Sequence, residues 1–340
     1  MKVGIVGLPN AGKSTLFNAL TRAAAQAAEY PFTTVDPNVA VVSVPDGRLV
    51  RVANALEIER RVPEQIEFVD VAGLVRGAHK GEGLGNRFLG HIRDVDAVIH
   101  VVRSFEHPQV AHPHGTVDPL GDLEAVETEL LLADLETAER RLADLERRAG
   151  GDEREARGDL DSWREVVEKL RAGEHAPREA GLLTSKPALL VVNVGEGEAV
   201  PEALAGRGAV AVCALDEVEL ADLDPEEAAA MRADLGIAAD ALTEIVQAAY
   251  RLLDLVTFFT AVGSKEVRAR SLARGSTAVE AAGKVHTDME RGFVRAEVIG
   301  WDALVELGSF ARARETGALR IEGRDYVVQD GDVLTIKFSA

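Results

Sequence analysis

Eight residues near the start of the chain, Gly7-Leu8-Pro9-Asn10-Ala11-Gly12-Lys13-Ser14, have the types and spacing to hold a polyphosphate. They fit G-x-x-x-x-G-K-[ST] and fall between an apolar strand, Val3 to Val6, and a helical stretch, Ser14 to Leu20, which is the context that motif needs. The glycines let successive backbone N–H groups curl around a β-phosphate, and the helix N-terminus adds its partial positive charge. Lys13 would meet the β and γ oxygens and Ser14 would offer its hydroxyl to Mg²⁺. The motif predicts a nucleoside triphosphate site contacted by Asn10, Ala11, Gly12, Lys13, Ser14 and Thr15.

Further parts follow at useful distances. Asp70-Val71-Ala72-Gly73 closes the apolar run Ile66 to Val69 and has the D-x-x-G form found in GTPases. There Asp70 would hold Mg²⁺ through water, and the Gly73 N–H would sense the γ-phosphate. Thr34, in Pro31-Phe32-Thr33-Thr34, is a candidate for a second hydroxyl on the metal. Small GTPases orient the attacking water with a glutamine directly after D-x-x-G, and here that residue is Leu74, which cannot hydrogen-bond water. The chain must therefore hydrolyse slowly or position its water by another group. Three histidines lie near enough in sequence to matter: His79 in the glycine-rich stretch 77–86, and His112 and His114 after the next strand. After the run Ala188 to Val192 comes Asn193-Val194-Gly195-Glu196, where GTPases carry N-K-x-D. The acid is one methylene longer and the lysine that packs on the base is replaced by Val194. A guanine clamp is impaired, and adenine becomes acceptable through a backbone carbonyl or the Asn193 amide.

These residues need a scaffold, and the 340-residue chain is long enough for two or three domains. With 46% hydrophobic residues it is not a disordered acidic chain, and no apolar run reaches the length of a membrane span. One cysteine, Cys213, and the absence of a leader-like start point to a reducing, cytoplasmic setting. The formal charge of −19 argues against loose coating of nucleic acid, DNA included. That charge is uneven: Thr257 to Ala340 holds 12 basic and 12 acidic residues, so the whole excess precedes it. Nearly continuous apolar runs at Val3–Val6, Ile66–Val69, Ala97–Val102, Ala188–Val192 and Ala209–Val212 predict a doubly wound parallel sheet. Between the third and fourth runs, Leu131, Leu135, Ala138, Leu142, Leu145 and Ala149 step by 4, 3, 4, 3, 4, and a second helix covers Leu160 to Leu170. They predict an antiparallel helical hairpin, either packed on the domain or projecting as an arm. The last 84 residues read as short strands around one helix, Ala278 to Asp288, a separate α+β domain.

Taken together, Gly-Leu-Pro-Asn-Ala-Gly-Lys-Ser, Asp-Val-Ala-Gly-Leu-Val-Arg-Gly-Ala, Gly-Glu-Gly-Leu-Gly-Asn, the N-x-x-E at 193–196 and Gly-Lys-Val-His-Thr-Asp-Met-Glu-Arg-Gly-Phe-Val-Arg-Ala-Glu at 283–297 resemble the YchF family of Obg-related ATPases, over essentially the whole chain. The resemblance implies an Obg-type G domain over 1–120 and 181–256, a coiled-coil hairpin over 121–180, and a TGS domain of β-grasp type over 257–340. It implies ATP hydrolysis in preference to GTP, with Mg²⁺ on Ser14, Thr34 and Asp70. Lys13 and Leu74 then belong to a catalytic centre with a hydrophobic residue in place of glutamine. The family's catalytic histidine falls in V-x-H-x-x-G-x-V-D-P, which selects His112 over His79. Asn10 matches relatives that use a potassium ion. Base contacts fall to Asn193, Val194 and Glu196, with the small-residue loop represented by Cys213-Ala214. The expected partner is the ribosome, through the TGS domain and the helical arm on the large subunit. The segment 170–186 is shorter than the family's pattern, which weakens the case for the arm. Lys265, Arg268, Arg270, Arg274, Lys284, Arg291 and Arg295 form the basic stretch suited to RNA. A guanine-selective GTPase in ribosome assembly and a nucleotide-gated binding protein without meaningful turnover are the competing readings.

Overall fold

The structure, a computed structural model, describes residues 1–27, 38–71, 84–148, 154–235, 240–262 and 265–339. In chain order the elements are β1 (Lys2–Val6), α1 (Lys13–Ala27), β2 (Val39–Ser43), α2 (Gly47–Ala55), β3 (Arg61–Val62), β4 (Gln65–Asp70), α3 (Leu84–Arg93), β5 (Ala97–Arg103), α4 (Pro119–Arg148), α5 (Arg154–Arg171), β6 (Ala188–Asn193) and β7 (Val210–Val212). They continue with α6 (Ala214–Leu220), α7 (Pro225–Asp234), α8 (Ala241–Leu252), β8 (Leu255–Val262), β9 (Glu266–Ala273), α9 (Ala278–Val285), α10 (Thr287–Arg291), β10 (Phe293–Gly300), α11 (Trp301–Leu307), α12 (Phe310–Glu315), β11 (Arg320–Glu322) and β12 (Asp332–Phe338). Among the described residues no helix is long and apolar enough to cross a membrane.

Two compact units result, Met1–Val42 with Glu67–Ile245, and Ser43–Ile66 with Val246–Ala340. In the first, the sheet order is β2-β4-β1-β5-β6-β7, with β1 parallel to β4 and β5, β5 to β6, and β6 to β7. Every residue of β5 is buried, as a strand covered by helices on both faces requires. The expected hairpin does lie between β5 and β6, but α4 starts earlier than its heptad stretch. Asp118 accepts the Gly121 N–H at 3.0 Å, and Pro119 takes the first helical turn, where a missing N–H costs nothing. The early part of α4 packs Val126, Leu130 and Ala133 under the sheet beside Val6, Phe88 and Val98. Only farther along does it pair with α5, where Leu131, Leu135, Ala138 and Leu142 meet Trp163, Val167 and Leu170. Asp134 fixes the return of the chain: its carboxylate accepts the Leu183 and Thr184 N–H groups and the Thr184 hydroxyl, at 2.9, 2.7 and 2.8 Å. One helix thus serves both the α/β layer and the hairpin, and 121 is not a boundary in the packing.

The second unit departs further from the linear partition. Its sheet runs β11-β10-β12-β8-β9-β3, so the strand at one edge comes from residue 61. β3 pairs parallel with β9, while β8 with β9, β10 with β12 and β10 with β11 are antiparallel. Leu49, Val52 and Ala53 of α2 and Ile58 are buried with Phe259, Val267, Ile299 and Val333. Residues 43–66, expected in the first domain, therefore complete the core of the second. That segment carries four basic and four acidic residues, so the C-terminal unit stays neutral. On the other face α9 buries Ala278, Ala281 and Ala282 against Phe258 and Val298. Residues 326–328, expected as a strand, contribute one bridge, Val327 to Thr277. The sequence reading also missed α11 and α12, whose short apolar steps resemble strand alternation.

One buried group on β5 couples this packing to pH. Burial, with His175 adding repulsion, lowers the His100 imidazole from 6.5 to about 4. Unfolded chains bind the proton near 6.5, so this contribution to stability is complete above that pH and is lost as pH falls toward 4. At about 1.4 kcal/mol per unit the loss approaches about 3 kcal/mol. Urea titrations between pH 7 and 4 should show this slope in the wild type and its reduction in His100→Val.

Candidate nucleotide site

The site is built where the parallel strands of the first unit end. β1 leads into the phosphate loop, β4 ends on Asp70, β5 leads to the histidine loop, β6 ends on Asn193, and β7 leads to Cys213-Ala214. Loops at the carboxyl ends of strands, on both sides of β1, form the crevice in which such sheets bind ligands.

Two glycines make the phosphate loop possible. Gly7 has φ 155°, and a Cβ there would lie 2.3 Å from the Val101 carbonyl oxygen. Gly12 has φ 91°, and its Cβ would fall 2.0 Å from Asn193 Nδ2. Between them Leu8 and Ala11 turn into the core while Asn10, with φ 63°, is exposed. Asparagine tolerates that left-handed conformation better than most residues. Lys13 is buried, and its ammonium donates to the Leu8 carbonyl at 2.8 Å. Burial lowers its pKa from 10.5 to about 8, opposed by the charge of Asp70. Ser14 Oγ donates to Asp70 Oδ2 at 2.7 Å, so the two oxygen ligands expected for the metal already stand together. They line, with Lys13, Asn38, His91 and Asp94, a cavity of about 520 Å³. Thr15 is half-buried at the start of α1. Thr34, Gly73, Leu74 and His79 lie outside the described residues.

The base segment differs from its sequence reading. Asn193 is buried, with Nδ2 donating to the Ala11 carbonyl at 3.1 Å and Oδ1 accepting the Ala214 N–H at 3.1 Å. One of its two N–H hydrogens and one lone pair of its oxygen are committed to the frame. Val194 likewise turns away, buried among Val102, Leu123, Val192 and Leu204, because its position continues the alternation of β6 into the core. Glu196 is exposed. Cys213 is the residue before α6, and burial pushes its thiol up to about 11. Ala214 is buried, and its N–H is the one bonded to Asn193.

The loop after β5 is held at neighbouring points, which no motif announced. The Arg103 guanidinium is buried, donates to the Phe105 and Val110 carbonyls at 3.0 and 2.9 Å, and lies 4.5 Å from the Phe105 ring centroid. Asn10 Nδ2 donates to the Ala111 carbonyl at 3.0 Å, tying the histidine loop to the phosphate loop. His112 Nε2 lies 2.8 Å from Asp122 Oδ2 in the first turn of α4. The expected catalytic histidine is thus adjacent to the phosphate loop in backbone, with its ring turned to α4.

The comparisons with known proteins agree with this architecture. Residues 2–133 match the family described as 50S ribosome-binding GTPase, and residues 255–339 match YchF-GTPase_C, a protein of unknown function. The chain is 46% identical to "Ribosome-binding ATPase YchF" of Haemophilus influenzae, covering 99% of each chain. It is 43% identical to the protein of that name from Bacillus subtilis, covering 100% of this chain and 99% of the other. The solved structure of the Schizosaccharomyces pombe YchF GTPase superposes with a TM-score of 0.86 at 33% identity, covering 99% of this chain and 97% of that one. With relatives this similar over its full length, and with a phosphate loop, Asp70 and Asn193 set at the ends of one parallel sheet, the chain belongs to the YchF family of P-loop nucleoside triphosphatases.

Proposed function

We propose that this chain is an ATPase that uses ATP in preference to GTP, requires Mg²⁺, and acts on the ribosome in the cytoplasm. The observation that supports the base preference is the burial of Val194: the residue in the lysine position of N-K-x-D is part of the core and offers nothing to pack on a purine. Glu196 is exposed beside it and longer than the aspartate that grips guanine. For the metal, Ser14 and Asp70 present a hydroxyl and a carboxylate in contact, a hard oxygen set suited to Mg²⁺. Bound Mg²⁺ supplies charge neutralisation at the β and γ oxygens. Ser14 and Asp70 would hold it with Thr34 as a third ligand, and Asn10 is the residue that implies a potassium ion. Lys13 would leave the Leu8 carbonyl for the phosphates, a carbonyl partner exchanged for a stronger, charge-assisted one. Gly73 would sense the γ-phosphate, and His112 would position the attacking water that Leu74 cannot.

The ribosome enters through the names of the relatives, which include "Ribosome-binding ATPase YchF". Of the basic stretch in the second unit, Arg268 pairs with Glu266, Arg274 with Asp254, and Arg270 donates to the Lys284 carbonyl. Lys284, Arg291 and Arg295 are exposed and are the residues we assign to rRNA of the large subunit. The helical arm would add a second contact.

Titration calorimetry with ATP and GTP should give the tighter Kd for ATP, and guanine binding tenfold tighter, about 1.4 kcal/mol, would overturn the base assignment. In single-turnover hydrolysis with Mg²⁺ and K⁺, His112→Ala should lose about 10²-fold in rate with binding retained. Nucleotide affinity should also depend on pH. Lys13 is charged below about 8 and neutral above it. Phosphate binding favours the charged form, so affinity should weaken as pH rises from 8 to 9, with proton uptake measured by calorimetry in two buffers. For the partner, truncation at 257 would strip the core that 43–66 completes, so charge reversal is the better probe. Lys284→Glu, Arg291→Glu and Arg295→Glu together should reduce co-sedimentation with 50S subunits and leave ATP binding unchanged.

A further inference from the structure

His112 sits between two partners that together occupy its ring. Nε2 lies 2.8 Å from Asp122 Oδ2, and Nδ1 accepts the His114 N–H at 3.2 Å. Nδ1 must then carry the lone pair and Nε2 the proton, which it donates to the carboxylate. With the side chain only 4% exposed, neither nitrogen is open to a water molecule. Asp122 is itself buried: Oδ2 is taken by His112, while Oδ1 accepts no hydrogen bond among the described residues. The group facing Oδ1 is His114, whose Nδ1 is 3.5 Å away and whose side chain is 30% exposed. A buried carboxylate that loses its hydrogen-bonded partner is left uncompensated, so movement that frees His112 is opposed unless another donor takes its place.

Two imidazoles and a carboxylate within 4.8 Å of one another also have the composition of a transition-metal site. A metal on His112 Nε2 would force the proton onto Nδ1, which already accepts a backbone N–H. The hydrogen bonds therefore favour exchange of partners over capture of an ion.

We propose that Asp122 is a positioning residue that stores His112, and that His114 is the replacement partner which makes its release affordable. The backbone at 110 and 111 is held by Arg103 and Asn10, so release is a local swing of the His112 ring. As it leaves, His114 rotates onto Asp122 and donates from Nδ1, and the carboxylate exchanges one imidazole for the other. The inference rests on reading His112 as the residue that positions water.

The test is steady-state ATP hydrolysis by the full chain with Mg²⁺ present. His114→Ala should lower kcat roughly tenfold, with KM for ATP unchanged, because Asp122 then has no second donor. His114→Gln keeps a donor and should restore most of the rate. In an Asp122→Asn background, where the buried group is neutral, His114→Ala should change kcat less than about twofold. An unchanged kcat in His114→Ala, an equal loss in both backgrounds, or no restoration by glutamine would each overturn the proposal. Ring-nitrogen NMR reads the exchange without turnover: His112 should be the Nε2–H tautomer in the nucleotide-free protein. Adding Mg²⁺ and a non-hydrolysable ATP analogue should convert His114 to Nδ1–H, and unchanged tautomers would refute the exchange. Wild-type hydrolysis by His112→Ala would remove the water-positioning role alone, leaving the tautomer readout to judge the exchange.

Discussion

One planar amide holds the site in register. Asn193, at the end of β6, reaches across β5 to the Ala11 carbonyl in the loop after β1, and on its other side takes the Ala214 N–H that opens α6. Three strand ends are thereby fixed to one another by one buried side chain. Gly12 has no side chain because the amide occupies the place a Cβ would take. Both partners of the amide are main-chain groups in the buried interior, so a residue lacking either function would leave an unsatisfied group at about 1–3 kcal/mol each. Asn193 thereby ties the phosphate loop to the start of α6.

The frame also explains how a lysine can wait in a dry place. Among the described residues Lys13 has no carboxylate in hydrogen-bonding contact; its ammonium is met by the Leu8 carbonyl, and Asp70 contributes only through space. That arrangement satisfies geometry while leaving the charge under-compensated, which is what the lowered pKa reports. A polyphosphate entering the cavity relieves the deficit, so part of its binding free energy comes from a cation the fold keeps underpaired.

Much of this was legible in the sequence, for a physical reason. The phosphate loop, Asp70 at its strand end and the five apolar runs are local signals: turn chemistry and two-sided burial are written into neighbouring residues, and five of the sheet's six strands formed from those runs, the edge strand β2 being unforeseen. What escaped was non-local. Leu49, Val52 and Ala53 show helical spacing, but nothing in that spacing says that their core is supplied by Phe259 and Val333, some two hundred residues later. Asn193 was read as a base contact because its motif names it so, and the amide's second use became visible only when Ala11 and Ala214 stood on either side of it. Arg103 carried no signal at all; a lone arginine at a strand end becomes a clamp through two carbonyls and a phenyl ring that the loop folds back upon it.

The same non-local logic bears on why a triphosphatase would tolerate Leu74. A glutamine after D-x-x-G is ready whenever the γ-phosphate arrives, whereas His112, in the role proposed for it, has to be fetched from α4. In this chain the fetching distance is short in backbone, since Asn10 of the phosphate loop already holds Ala111. It is long in free energy, since the ring is buried, both its nitrogens are engaged, and its carboxylate partner is buried too. With His112 in the water-positioning role proposed above, binding and hydrolysis are separated: the phosphate loop is formed without nucleotide, while the histidine is held on α4. A site built that way would keep its triphosphate for as long as the histidine stays on α4. On that proposal the lifetime of the bound state would be set by a side-chain exchange inside the fold, which a partner gripping the loop would shorten.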